Sequence, residues 1–218
     1  MVEYAVSDLV KEVKVLLDRN QESAGLLAPS DSDTLSQAEL IESKIVDAAR
    51  IILSDAPEDM VEGTSSTNNV TWTDSNGYYV GNMVLPTDML RILSVKAEGW
   101  NRPAEIISDS DDSYKYQNCK YGVRGNPERP VAAIVNKANG KSIELYTSKK
   151  KDAKLVFIYV KVPSITTEQK ISLPSALKDA ILYMAGYLTC ISLGDTDTAS
   201  GFLGVARKLA HIVEPTTS

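Results

Sequence analysis

A lone histidine, two cysteines and a few short charged clusters hold whatever reactive chemistry this chain can offer. Acid–base or nucleophilic catalysis calls for a tunable base beside a nucleophile. His211 is the only histidine, and it falls near the end of the last expected helix, where a protonated imidazole would meet the negative end of the helix dipole favourably. No serine sits in a Gly-x-Ser-x-Gly frame, so a histidine-based active site is not expected. Cys119 and Cys190 fit no metal or redox spacing and read as free thiols in a reducing cytosol, Cys190 buried on an apolar helix.

Oxygen ligands for calcium are offered by Asp109-Ser110-Asp111-Asp112 and by Asp195-x-Asp197. Neither carries the glycine turn and distal Glu of a calcium loop, so a solvated loop and a helix cap are the preferred readings. Gly122 to Gly125 lacks a following Lys-Ser or Lys-Thr and is no phosphate loop. Lys149-Lys150-Lys151, with Lys154 and Tyr146 nearby, is the one basic cluster. It offers a contact to nucleic-acid phosphates or to a partner, although a charged hairpin tip that protects a sheet edge is the simpler reading. No cofactor and no metal are expected.

The elements that must position these residues follow from periodicity. Residues 6–21 read as a helix, with Val6, Leu9, Val10, Val13, Leu16 and Leu17 on one face and Ser7 as N-cap. A polar loop follows over residues 24–34. Ser36-Gln37-Ala38-Glu39 is a capping box that opens a second helix with the stripe Ile41, Ile45, Ala48 and Ile52, stopped by Pro57. Residues 63–69 read as a polar linker. The β-rich runs are then 70–73, 78–85, 90–97, 131–135, 142–146 and 154–162, with hairpin turns at Asn76-Gly77 and Asn139-Gly140. The nearly all-apolar stretch from Leu155 to Val160 should be a central strand, and residues 109–125 form a Tyr-rich excursion.

Pro174 suits the first position of a third helix, whose face Ala176, Leu177, Ala180, Ile181, Met184, Leu188 and Ile191 is widened by Leu182, Tyr183 and Tyr187. Such a helix needs partners on several sides, and Gly186 at its middle would admit another backbone closely. Gly194 suits a C-terminal cap, and Asp195 or Asp197 caps a last helix with Phe202, Leu203, Ala206, Leu209, Ala210 and Val213 on its stripe. The expected fold class is α+β: N-terminal helices (1–60) and C-terminal helices (171–218) pair into one bundle, and a mainly antiparallel β domain (61–170) is inserted between them.

Charge is distributed unevenly along the chain. The 218 residues carry a net charge of −6, but residues 1–63 hold 14 acidic and 5 basic side chains, whereas residues 64–170 hold 11 acidic and 15 basic. Opposite signs on successive segments would let copies attract head to tail. The acidic total disfavours tight DNA binding but suits a channel wall along which DNA slides. Ten tyrosines against two phenylalanines suit half-wet surfaces and subunit contacts, and equally suit exposed sheet faces. The start of the chain lacks a basic, apolar leader and no stretch approaches a membrane span, so a soluble protein of the cytosol is expected.

Leu85-Pro86-x-Asp88-x-Leu90-Arg91 with Trp100-x-Arg102-Pro103, the strand Ile143-Glu144-Leu145-Tyr146, and Leu173-Pro174 before the C-terminal helices together resemble the head-to-tail adaptor family of short-tailed bacteriophages, the tail tubular protein A type. The Lys-, Ser- and Asp-rich style is similar to that of crAss-like phages. The resemblance implies a structural virion protein of the portal–tail junction, assembled in the host cytoplasm as a ring of typically twelve copies. Its partners would be the portal, tail or further ring proteins, and transiently the phage DNA, with no membrane involved. Tyr183, Gly186 and Tyr187 are then candidate subunit contacts, and Lys149, Lys150 and Lys151 candidate partner contacts. The chain ends soon after the last helix, without the extension some adaptors use to embrace the portal. The alternative reading is a non-catalytic module in which Trp72, Tyr78, Tyr79 and Trp100 form a platform for a carbohydrate or protein surface. An intracellular enzyme is the third and least supported.

Overall fold

The computed structural model describes residues 1–17, 36–66, 69–75, 77–119, 124–138 and 140–213. The expected loop at 24–34, the end of the first helix, Asn76, Asn139 and residues 120–123 of the Tyr-rich excursion lie outside the described residues. The chain divides into two units, residues 1–62 with 162–218, and residues 63–161.

In the first unit, a short strand β1 (Val2–Ala5) runs directly into helix α1 (Val6–Leu16), which buries Val6, Leu9, Val10 and Val13. Because the strand abuts the helix, Ala5 rather than Ser7 is the N-cap, and no side chain caps it. Helix α2 (Gln37–Asp55) opens on the expected reciprocal capping box: the Ser36 backbone donates to Glu39 at 2.7 Å and the Glu39 backbone to Ser36 Oγ at 3.3 Å. It ends before Pro57, which can neither donate nor continue the turn.

Strands β2 to β9 follow in the second unit (residue bounds below). Strand β10 (Lys170–Leu173) then pairs antiparallel with β1, Val2 opposite Leu173. Pro174 precedes a single 3-10 turn, Ser175–Leu177, so helix α3 (Lys178–Ser192) starts four residues after the proline instead of on it. Gly194 at φ +79° closes α3: the Asp195 amide donates to Cys190 and the Gly194 amide to Ile191, the double bond of a Schellman cap. Asp195 then caps helix α4 (Thr196–Leu209) by accepting from the Thr198 amide at 3.1 Å.

This arrangement corrects the expected architecture. Among the described residues the chain is mainly β, ten strands in three sheets with four helices, and the helices are not an N-terminal pair and a C-terminal pair around an inserted domain. Helix α3 packs against α1, α2 and α4 alike, and the β1–β10 ladder ties the terminal segments as well. The physical reason lies in α3 itself, since a helix apolar nearly all round is satisfied by several neighbours and not by one partner.

The second unit contains β2 (Thr64–Ser66), β3 (Thr71–Asp74), β4 (Tyr79–Val84), β5 (Met89–Ala97), β6 (Glu105–Ser108), β7 (Val131–Lys137), β8 (Gly140–Ser148) and β9 (Leu155–Lys161). One sheet has the order β2-β9-β5, with the apolar β9 in the middle as its sequence predicts. The other has the order β3-β4-β8-β7-β6. Met83, Ile143 and Leu145 from the larger sheet, with Leu85 just after β4, share one core with Val95, Phe157 and Tyr159 from the smaller. A second cluster of Ile107, Ala133 and Tyr146 covers the far face of the larger sheet, so β8 is buried along most of its length. Strands β6 and β7 are parallel, and parallel neighbours require a long crossover. That requirement accounts for the excursion after residue 108, which includes a 3-10 turn at Tyr114–Asn118.

Candidate interaction sites

Helix α1 extends its apolar residues one turn past the stripe that reaches the core. Val15 is 60% exposed, and with Leu16 it faces Leu182 and Tyr183 of α3 across a cleft of about 450 Å3. Lys11, Glu12 and Asp179 supply its charged rim. Lys178 fastens the two helices beside it, donating to Glu12 at 2.7 Å and lying 5.3 Å from the centre of the Tyr4 ring. The bond to Glu12 outweighs desolvation and raises the Lys178 pKa, so this ammonium remains charged. The cleft is thus apolar at its floor and charged at its edge, the usual layout of a protein contact.

Tyr183 belongs to this cleft, and Tyr187 is half-buried on the same helix. Gly186 has a different use. A β-carbon there would stand 2.9 Å from Cδ1 of Phe202, so the close approach that the glycine permits is made by α4 of the same chain. Phe202 also meets Tyr183, ring centres 5.7 Å apart. The sequence identifies the small residue correctly but carries no sign of which surface fills the space.

In the second unit, Lys149, Lys150 and Lys151 occupy the exposed turn between β8 and β9. Lys150 is ion-paired with Glu98, and Ser148 Oγ holds the turn by accepting from the Lys150 amide at 3.0 Å. Of the aspartates, Asp111 accepts from the Ser108 amide at 2.6 Å and Asp109 from the Asn136 amide at 3.0 Å, while Asp112 pairs with Lys115. These carboxylates shape their own loop. Among the described residues no group of three or more His, Cys, Asp or Glu side chains is placed to hold a metal, and no helix is long and apolar enough to cross a membrane.

The proposed aromatic platform is not assembled. Trp100 is 4% exposed with its indole donating to the Thr147 carbonyl at 3.1 Å, and Trp72 donates to the Ala153 carbonyl at 3.0 Å. Tyr78 is exposed, with the Arg124 guanidinium 5.7 Å from its ring centre.

That arginine opens onto a polar cleft of about 660 Å3, which the sequence reading did not anticipate. Arg102, Arg124 and Arg129 line it together with Glu105 and Glu128. Arg124 is fixed by donating Nε to Thr147 Oγ1 at 3.0 Å, and its Nη2 is buried without a hydrogen-bond partner among the described residues. Gln117 braces the wall, accepting from the Gly125 amide at 2.8 Å. The available signal was slight: Arg102-Pro103 and Arg129-Pro130 are both arginines held at proline turns.

On the far face of the larger sheet, Glu144 accepts from Tyr146 at 2.7 Å and Tyr114 at 3.2 Å and pairs with Lys137 at 2.9 Å. Burial pushes the Glu144 carboxyl up, but the bonds from Lys137 and the two tyrosines bring it below its ordinary value. Burial first, then the adjacent carboxylate, raises the Tyr146 phenol far above its usual range and keeps it a donor. With both tyrosines donating to one anion, the cluster is a satisfied strut, not a poised acid–base pair.

No protein-family model matches the chain, and no curated protein matches it.

Proposed function

We propose that this chain is a structural part of a tailed-phage particle, an adaptor whose copies form a ring between portal and tail and enclose part of the path taken by DNA. The role is non-catalytic. The observation that supports it most is the open apolar cleft where Val15 and Leu16 face Leu182 and Tyr183. Burying a large apolar side chain stabilises a contact by about 1.5–3 kcal/mol, and an identical neighbour is the simplest partner that completes such a face. The order of the Leu85-Pro86, Trp100 and Leu173-Pro174 segments supports the same reading. Portal and tail proteins are the further partners this reading assigns, with DNA touched only in passing. The alternative binding module has less support, because both tryptophans are tied to backbone carbonyls of their own chain.

Mass photometry of the chain, alone and mixed with the portal protein of the same phage, tests the proposal. A closed oligomer is expected, weakened by Val15→Asp at unchanged melting temperature. A monomer under both conditions would overturn it.

A further inference from the structure

The arginine cleft of the second unit carries three guanidinium groups, and among the described residues none of them is ion-paired, even though Glu105 and Glu128 line the same space. Its orientation is over-determined. Thr147, buried and β-branched, is held at φ 68°, a conformation such residues rarely adopt, and its hydroxyl accepts from Arg124 while its carbonyl accepts from Trp100. Strain of this kind persists where surroundings enforce it, and it concentrates at binding sites.

A complementary surface exists on the same chain. Asp55, Glu58 and Asp59 are exposed, and none is ion-paired among the described residues. Asp55 occupies the last turn of α2, which holds no basic residue, so the negative end of the helix dipole disfavours it. An incoming cation would relieve that cost. The segments that contain the two surfaces have opposite charge balances, −9 for residues 1–63 and +4 for residues 64–170.

We propose that the cleft lined by Arg102, Arg124 and Arg129 receives the acidic knob Asp55, Glu58 and Asp59 of a neighbouring copy, as the head-to-tail contact of the ring. This inference rests on the ring reading and specifies its contact. A carboxylate accepts a guanidinium fork through two parallel hydrogen bonds, and separate side chains can be set against separate arginines. Knob and cleft are different residues of the chain, which makes the contact heterologous, the kind that closes into a ring when the rotation between copies permits.

A charge-swap experiment on the full chain tests it by mass photometry, with melting curves to confirm folding. Arg102 and Arg129 are exposed, so Arg102→Glu with Arg129→Glu leaves the fold intact while Arg124 keeps its bond to Thr147. The expected result is at least a tenfold loss of oligomer in this variant and in Asp55→Lys/Glu58→Lys/Asp59→Lys. Mixing the two variants one to one restores assembly, because each knob then faces a cleft of opposite sign. Wild-type-like assembly of either variant alone, or a mixture that remains monomeric, would overturn the contact and leave the ring reading standing. So would loss of DNA retention by the cleft variant at unchanged assembly, which would assign the arginines to phosphate. A wild-type chain that never assembles would remove both.

Discussion

The indole of Trp100 donates to the carbonyl of Thr147 at 3.1 Å, and both residues are almost fully buried. Together with the bond from Arg124 to the threonine hydroxyl, this contact holds β8 in a bend where its pairing with β4 slips by a residue. Trp100→Phe keeps an aromatic ring but leaves a buried carbonyl unpaired and a small void. A loss of about 2–3 kcal/mol is expected, read as a lower urea midpoint at unchanged slope. A loss below about 0.5 kcal/mol, the level of an ordinary surface change, would show that the bend holds itself.

Gly186 and Phe202 should behave as a coupled pair. Gly186→Ala places a methyl 2.9 Å from the Phe202 ring and should destabilise by about 1–3 kcal/mol through overpacking. Phe202→Leu gives the methyl room, so the double variant should lose less than the sum of the single changes. Additive losses in a denaturation cycle would mean that the two side chains do not meet.

Two helix ends use the same left-handed residue with opposite fitness. Gly194 at φ +79° is suited to its place, whereas His211 at φ 53° fills the equivalent position after α4, where the Ile212 amide donates to Arg207 and the His211 amide to Lys208. Gly194→Ala should cost about 1 kcal/mol, and His211→Gly should gain about 0.5–1 kcal/mol. Thermal melts would check both. A drop in melting temperature for His211→Gly would contradict the assignment.

Glu144 makes the stability of the second unit depend on acid. Its folded carboxyl titrates below the ordinary value of 4.5. The stabilisation it contributes is therefore complete above that value and is lost as pH falls through the lower, folded one. Glu144→Gln should be less stable than wild type at neutral pH and should lose less stability on acidification. Parallel urea midpoints for the two proteins from about pH 6 to about pH 3 would place the titration elsewhere.

Much of the local structure is legible in the sequence. Alternation locates β3, β4, β5, β7, β8 and β9, the all-apolar run marks β9 as central, and Ser36, Pro57, Gly194 and Asp195 punctuate the helices as their chemistry requires. The strands that escaped, β1, β2, β6 and β10, are three or four residues long, and three of them pair with a partner distant in the chain. A short window holds no record of such pairing. Helical periodicity likewise shows that α3 is apolar on most sides without naming its neighbours, and for that reason the paired-bundle expectation failed. The arginine cleft gathers residues from 102 to 131 around a parallel crossover, and the left-handed Thr147 that orients it leaves no trace in composition.

The proposed ring is tested most directly by an electron cryomicroscopy reconstruction of the mature phage particle, resolved at the vertex where the genome leaves. The expected map shows identical copies of the chain in a closed ring against the portal, with the Val15 and Tyr183 cleft of each copy covered by a neighbour. A fully resolved vertex without this chain would contradict the account.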